Sequence, residues 1–248
     1  MTNLSITCDP RENQILRALR QAEFEHLAPH LELVTLSRSE VLFEPNDKLQ
    51  YVYFPVTATA SLLCCLEDGT SVEVAMVGNE GVLGVSALMG TRNVALTQAM
   101  INLTGHGYRI SMESMQSALA RSGGRRAGTL KKLILRYAQT LFVQMSQATA
   151  CNRRHALEQQ LCCWLLLSFD RGRSNSLSMT QESIAYILGV RRESITEAAG
   201  KLQQAGIIDY RRGHIELKDR IKLETTACEC YGVIKEESMR LMTDFQAA

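Results

Sequence analysis

The stretch TQESIAYILGVRRESITEAAGKLQQAGIIDYRRGHIEL, residues 180–217, decides the fold of the C-terminal part of the chain. Its hydrophobic spacing predicts two short helices followed by strands. Thr180 is a suitable N-cap for the first helix, and Gly189 supplies the left-handed residue that ends it. The second helix is predicted to start near Arg191 and to stop at Gly206.

The spacing of three residues indicates that these helices form a helix-turn-helix. Ala185 is small where two steeply crossing helices must touch, and Gly189 follows at the turn. Ile195 then falls in the core between the helices. Residues 207–210 and 214–217, on either side of an Arg-Arg-Gly turn, predict a β-hairpin. The complete pattern is that of a winged helix-turn-helix.

Polar residues on the outside of this unit suit DNA. The N-terminal end of the second helix is the part that meets base edges in the major groove, where arginine suits guanine and a carboxylate can accept from cytosine. Basic residues on the wing suit phosphates. We predict DNA contacts from the following residues: Thr180, Gln181, Arg191, Arg192, Glu193, Ser194, Thr196, Glu197, Lys201, Arg211 and Arg212.

This prediction has one alternative and one reservation. The alternative is a helix pair that only packs, and the agreement of turn, core spacing and basic positions disfavours it. Glu197 lies where a positive side chain would help more, so it either reads a base or weakens DNA binding.

Composition and charge limit the rest of the chain. Its 248 residues are enough for two domains, and a net charge of +1 confines any nucleic-acid contact to a local patch. The longest apolar runs, such as residues 161–167, are too short to span a bilayer, and the first residues lack the character of a signal peptide. We therefore expect a cytoplasmic protein without a membrane partner.

The eight cysteines show no sequence pattern of a metal site. There is no C-x-x-C motif, and no His/Cys cluster has the spacing of zinc ligands. We expect thiols in a reducing compartment, no metal and no cofactor. Cys228 and Cys230, which flank a glutamate, are the one candidate redox pair.

Two regions with different sequence patterns precede the helix-turn-helix. Between about residues 31 and 115, short β-rich runs separated by turns predict a small sandwich or barrel. After residue 126 the period becomes helical. A 4-3 spacing over about three heptads predicts a dimerisation seam: Leu130, Ile134, Tyr137, Leu141, Gln144, Ala148 and Cys151.

The same helix carries a second apolar stripe, which includes Leu133, Phe142 and Met145. Because one helix with two apolar faces needs two partners, we expect this stripe to pack on the β domain while the seam meets a second copy of the chain. The alternative is a helix that is internal to one chain.

Several motifs resemble those of the Crp/Fnr family of bacterial transcription regulators. They are YVYFP at residues 51–55, VGNEGVLG at 77–84, ACNR at 150–153 and ACECY at 227–231. The resemblance covers nearly the whole chain. It implies an α+β fold with an N-terminal β-roll (a jelly roll like that of cyclic-nucleotide-binding domains), a long dimerisation helix and a C-terminal winged helix-turn-helix.

The resemblance also implies domain boundaries. Residues 1–128 are expected to form the β-roll sensor with its N-terminal helices, and residues 129–153 the dimerisation helix. Residues 154–248 are expected to form the DNA-binding domain with a C-terminal helix.

The glycine-rich stretch EGVLGVSALMG, residues 80–90, corresponds in this resemblance to an altered effector pocket. In cyclic-nucleotide-binding relatives a Gly-Glu-Leu triplet binds the ribose, and an arginine further on binds the cyclic phosphate. Here the triplet is Gly-Val-Ser, and the arginine position falls at or next to an asparagine, one residue from an arginine that a loop could still present. We expect no response to cyclic AMP, with these pocket candidates: Gly81, Gly84, Val85, Ser86, Arg92 and Asn93.

Two other effector routes of the family lack their ligands in this sequence. An iron–sulfur cluster needs four thiolates, and Cys8 is the only cysteine near the start. Haem sensors use a His or Cys ligand, and His106 stands alone beside two glycines. The sequence therefore names no effector.

These observations predict a homodimeric regulator that binds an inverted repeat, with half-sites about 34 Å apart. Double-stranded DNA is the expected partner, and RNA polymerase is a further candidate. We expect no catalytic residue, because residues 84–88 lack the second glycine of a nucleophile elbow and no P-loop or dinucleotide motif is present. The alternative is a switch whose β-roll responds to thiol chemistry or to a small effector.

Overall fold

The computed structural model describes residues 8–89, 93–121 and 128–246. Arg92, one of the pocket candidates, lies outside these described residues. The chain combines an N-terminal β-rich part, one long helix, and a C-terminal helical part with a small sheet. This mixed architecture confirms the α+β fold class. Within the described residues, none of the helices has the length and apolar character that crossing a membrane requires.

The N-terminal strands form two antiparallel sheets that face each other across a shared core. The strands are β1 (Glu32–Leu36), β2 (Val41–Phe43), β3 (Tyr51–Pro55), β4 (Thr59–Cys65), β5 (Ser71–Val77), β6 (Gln98–Leu103) and β7 (Gly105–Ser111). One sheet has the order β1-β7-β3 and the other the order β2-β6-β4-β5. Phe54 and Ile101 are among the residues buried between them.

Short helices surround this β-roll: α1 (Gln14–Arg17), α2 (Gln21–Leu27), α3 (Val85–Met89) and α4 (Met112–Arg121). The glycine-rich stretch is therefore a loop only in its first half. Gly84 has a φ of +96°, which turns the chain, and the helix-favouring residues that follow form α3. The run from residue 93 was expected to be a strand throughout, but β6 begins only at Gln98.

Helix α5 (Thr129–Arg154) has 26 residues, which corresponds to about 39 Å. The predicted seam lies on its inner face, because Leu130, Ile134, Tyr137 and Leu141 are 2–4% exposed in the single chain. These four residues, which were predicted to contact a second copy of the chain, instead pack in the core of the β-roll.

The single chain therefore covers the predicted seam itself, and it covers the stripe that was expected to pack on the β domain only in part. Leu133 is buried, Ala148 is half-buried, and the exposed apolar residues are Leu135 (50%) and Phe142 (72%). Both stripes have helical spacing, and the sheet that decides which one is covered is distant in sequence. A second copy of the chain would have to meet the stripe that contains Phe142.

The C-terminal part contains α6 (Leu157–Gly172), α7 (Gln181–Leu188), α8 (Arg192–Gln204), α9 (Arg220–Thr226) and α10 (Cys230–Gln246). Its sheet consists of β8 (Ser176–Ser178), β9 (Ile208–Arg211) and β10 (His214–Leu217), in the order β8-β10-β9. The wing therefore has a third strand, β8, in addition to the hairpin that the sequence predicts. Leu177, buried between two serines, provides the alternation that a strand needs.

Candidate DNA-binding surface and sensor groove

The turn between α7 and α8 has the predicted local geometry. Thr180 caps α7, since its Oγ1 accepts from the Ser183 backbone N–H at 3.1 Å. Gly189 is left-handed at φ +66°, and the next residue donates its N–H to the carbonyl of Ala185 at 3.0 Å. Ile195 is fully buried between the helices. These contacts fix the angle at which α8 leaves the turn.

The start of α8 and the tip of the wing border one open cleft of about 470 Å³. Thr180, Gln181, Arg192 and Arg212, which were predicted separately as DNA contacts, all line it. Arg212 and the glycine after it both have positive φ, so the turn between β9 and β10 points the arginine outward. The cleft thus gathers groups that suit base edges and phosphates.

The charged residues of this surface are held by exposed ion pairs. The Nε of Arg192 lies 4.0 Å from the Glu182 carboxylate. The Nζ of Lys201 lies 3.0 Å from the carboxylate of Glu197, whose hydrogen bond and charge raise the pKa of Lys201. Glu197 therefore has a partner within its own helix, which accounts for a carboxylate on this face. Exposed pairs of this kind are weak, so the basic groups remain available to phosphates.

The other predicted contacts are spread around this cleft. The Thr196 hydroxyl donates to the Gln181 side chain at 2.7 Å and so ties α8 to α7. Arg211 is exposed and pairs with Asp209 at 3.0 Å. Three further residues lie at the start of α8, where Ser194 is half-buried and the other two are exposed: Arg191, Glu193 and Ser194.

A second and larger opening, of about 770 Å³, lies between the β-roll and the outer face of α5. We call it the sensor groove. Its lining is Phe43, Leu62, Val82, Gly84, Val85, Ser86, Met89, Leu96, Thr97, Leu135, Ala138, Gln139, Leu141, Phe142 and Met145. None of these described lining residues carries a charge. Three of the predicted pocket residues are among them.

The remaining pocket candidates have other places. A Cβ on Gly81 would collide with the hydroxyl of Tyr137, so this glycine lets α5 approach the β-roll. Asn93 accepts a hydrogen bond from Gln116 at 2.7 Å and does not line the groove. Of the candidates that the structure describes, only the triplet that begins at Gly84 belongs to the groove.

A buried ion pair joins the glycine-rich loop to the C-terminal domain. The Glu80 carboxylate accepts from Arg171 Nε of α6 at 2.7 Å, and each side chain is 8% exposed. Arg171 also donates to Gln144 of α5 at 3.4 Å. Glu80 was read only as part of a loop, because nothing in its neighbourhood in sequence indicates a partner 91 residues away.

The structure also brings together four residues that sequence reasoning did not connect: Cys151, His155, Cys228 and Cys230. Their ligand atoms all lie within 4.8 Å of one another. The expectation of unrelated thiols rested on sequence spacing, which links Cys228 to Cys230 but not to the end of α5. All eight cysteines are free thiols in this structure.

Comparisons with known proteins identify relatives of both parts. The sequence profile of the Crp-like helix-turn-helix domain matches residues 159–226. The global nitrogen regulator of Synechococcus elongatus is 24% identical over 215 residues, which is 86% of this chain and 96% of that protein. The global nitrogen regulator of Synechocystis is 22% identical over 216 residues, or 86% of this chain and 95% of that protein.

Solved structures share the fold at lower identity. A transcriptional regulator of the Crp/Fnr family from Eubacterium rectale has a TM-score of 0.67 at 17% identity, covering 87% of this chain and 98% of that one. FixK2 from Bradyrhizobium japonicum has a TM-score of 0.65 at 16% identity, with coverages of 80% and 98%. These likenesses show a common architecture of β-roll, long helix and winged helix-turn-helix.

Proposed function

The chain is a Crp/Fnr-type transcription regulator with a helix-turn-helix DNA-binding domain, and from this premise we propose that it binds an inverted repeat as a homodimer. The observation that carries the proposal is the cleft where Arg192 and Arg212 converge. Arg192 at the start of α8 is assigned to a base edge, and Arg212 on the wing to a phosphate. The role is regulatory and non-catalytic, and its setting is the cytoplasm.

The proposed dimer forms through the outer face of α5. Leu135 and Phe142 are exposed on it, and Ala138 and Met145 complete the same stripe. A second α5 packed on this stripe would bury these side chains and cover the open side of the sensor groove. We propose the division at residues 1–128, 129–153 and 154–248, with the middle segment as the shared element.

The sensor groove supports a regulator that does not respond to cyclic AMP. Its described lining has no charged group for a phosphate and no carboxylate for a ribose. An apolar effector is the second candidate, because Phe43, Leu62 and Leu96 would surround it with hydrocarbon. In that version the groove binds a small molecule beside the helix pair instead of serving packing alone.

The test compares two arginine variants on a selected inverted repeat and on random DNA. Arg192→Ala should cost about 1–3 kcal/mol on the selected site and relax the preference at one base pair. Arg212→Ala should weaken binding to all sequences and reduce the slope of log affinity against log salt. Fluorescence anisotropy over a range of salt concentrations measures both effects.

Arg17→Ala is the matched control, because it removes the same charge from an exposed site of the N-terminal domain. It should leave both affinities unchanged. Equal losses of specific and non-specific binding in Arg192→Ala and Arg212→Ala would contradict the assignment of base and phosphate roles.

A further inference from the structure

Three buried thiols and one imidazole meet where α5 ends and α10 begins. Cys151 lies in the last turn of α5, and His155 is the residue that caps this helix. Cys230 is the first residue of α10, and Cys228 lies two positions before it. We propose that these four side chains bind one borderline-soft divalent cation of the zinc type. The proposal does not depend on DNA binding.

The distances fit a tetrahedral ion. A zinc ion with Zn–S bonds of 2.3 Å requires thiolate sulfurs about 3.8 Å apart and sulfur–nitrogen separations of about 3.6 Å. The sulfurs of Cys151 and Cys228 are 3.5 Å apart. The sulfur of Cys230 lies 3.4 Å from Nδ1 of His155. Because all four ligand atoms lie within 4.8 Å of one another, small side-chain movements alone can bring them to tetrahedral distances around one ion.

The chemistry of the set is that of a closed structural site. Three cysteines and one histidine are a common ligand set for structural zinc, and each offers one donor atom here. The three thiols are buried, which excludes water from the remaining coordination positions. Cys163 of α6 hydrogen-bonds to Cys228 from outside the set, so a spare thiol lies beside the proposed ion.

Surrounding groups orient the ligands as second-shell partners do. His155 presents Nδ1 to the thiols while its Nε2 lies 3.3 Å from the carboxylate of Glu229. Such a carboxylate–histidine pair fixes the imidazole and increases its basicity toward a metal. Gln147 donates a hydrogen bond to the sulfur of Cys230 at 3.2 Å. The positive end of α10 also favours a thiolate at Cys228.

An ion could enter through a small cavity beside the cluster. The cavity has about 50 Å³ and is lined by Cys151, Cys163 and Cys230 together with residues of β5 and α6. Binding would replace the protons that the thiols still carry, and these protons pass to the solvent. The bound ion would then hold α10 to the joint between α5 and α6, which consists of two extended residues, His155 and Ala156. Its effect would be to fix the DNA-binding domain on the long helix.

The experiment uses the full chain, purified with a phosphine reductant and without chelator. Elemental analysis should find one zinc ion per chain. After removal of the zinc, titration with Co²⁺ should produce the d–d and thiolate charge-transfer bands of a tetrahedral thiolate site, and zinc should abolish them. Metal addition to weakly buffered apoprotein should release protons, because thiols that bind the ion must lose theirs.

Variants distinguish the loss of metal binding from a loss of folding. Cys230→Ser and His155→Ala should lose the cobalt spectrum, and Glu229→Gln should lower zinc affinity about 10- to 100-fold while it keeps the spectrum. Cys64→Ser, which removes an exposed thiol of β4, should bind as the parent does. Circular dichroism establishes that each variant is folded.

Three results would overturn the proposal. The first is zinc-supplemented protein that holds far less than one ion per chain. The second is a cobalt spectrum that survives Cys230→Ser in a folded protein. The third is a count of six thiols instead of eight in metal-free, denatured protein that was purified without a reductant, which would assign the contact between Cys151 and Cys228 to a disulfide instead.

Discussion

The proposed DNA-binding cleft and the sensor groove are both open, but their chemistry is opposite. The cleft of about 470 Å³ is lined by polar and charged side chains, with Arg192 and Arg212 at its edges. The larger groove of about 770 Å³ is lined by hydrocarbon, and no described lining residue is charged. The first suits a polyanion in water. The second suits something that displaces water, such as a partner helix or an apolar effector.

The sensor domain does contain one buried and one half-buried carboxylate, but both lie next to the C-terminal domain. Glu80 pairs with Arg171 of α6. Glu73 of β5 accepts from Ser61, and burial raises its pKa to about 7. The charged groups thus lie at the joint between the domains, while the described lining of the groove is uncharged.

The largest effect is expected from a charge on the outer face of α5. Phe142→Glu would put a carboxylate into the proposed interface twice, once from each copy. We expect the dissociation constant of the dimer to rise roughly a thousandfold, or about 4 kcal/mol, and binding to the inverted repeat to be lost. Analytical ultracentrifugation measures the first effect and anisotropy the second.

Phe142→Leu is the matched control, because it keeps an apolar side chain at the same position. It should remain dimeric. A Phe142→Glu protein that stays dimeric at low concentration would place the interface elsewhere, and the groove would then be open to solvent on its outer side.

The next largest effect concerns the polar joint. Arg171→Met would leave the buried Glu80 carboxylate without its partner, and breaking a buried pair costs about 3 kcal/mol or more. Lys218→Met removes a partner from an exposed pair of equal length, Lys218 with Glu216 at 2.7 Å, and should cost less than about 1 kcal/mol. Denaturant unfolding of both variants measures the difference.

The double variant Glu80→Gln, Arg171→Met removes both charges. It should recover part of the lost stability, because no unpaired charge stays buried. If Arg171→Met unfolds at the same denaturant concentration as Lys218→Met, the joint is solvated and the contrast between the domain interface and the groove fails.

How much the sequence could predict depended on how local the deciding contacts are. The turn at Gly189 and the cap at Thr180 involve neighbours in sequence, so the helix-turn-helix was predicted with its residue positions. The helix α5 was also predictable, but not its orientation. Leu130 and Phe142 belong to stripes with the same period, and only packing against distant strands decides which one is buried.

The contacts at the joint could not be predicted in this way. Glu80 and Arg171 are 91 residues apart, and the thiols of Cys151 and Cys228 are 77 residues apart. Neither pair has a short motif. The signal that was present is the short separation of Cys151, in the last turn of α5, from His155, which caps that helix; it brings the two close together but indicates no further ligand.

The smallest effect is expected from cyclic AMP, which should not bind at physiological concentrations. A cyclic phosphate needs a cation, and the ribose needs an acceptor such as the carboxylate that Val85 replaces. Isothermal titration calorimetry of the native chain should show no heat beyond dilution. Val85→Glu should not create affinity by itself, because the described lining still offers the phosphate no positive charge. Micromolar binding by the native chain would mean that a cation reaches the groove from outside its described lining, and the two openings would then be less different than their linings indicate.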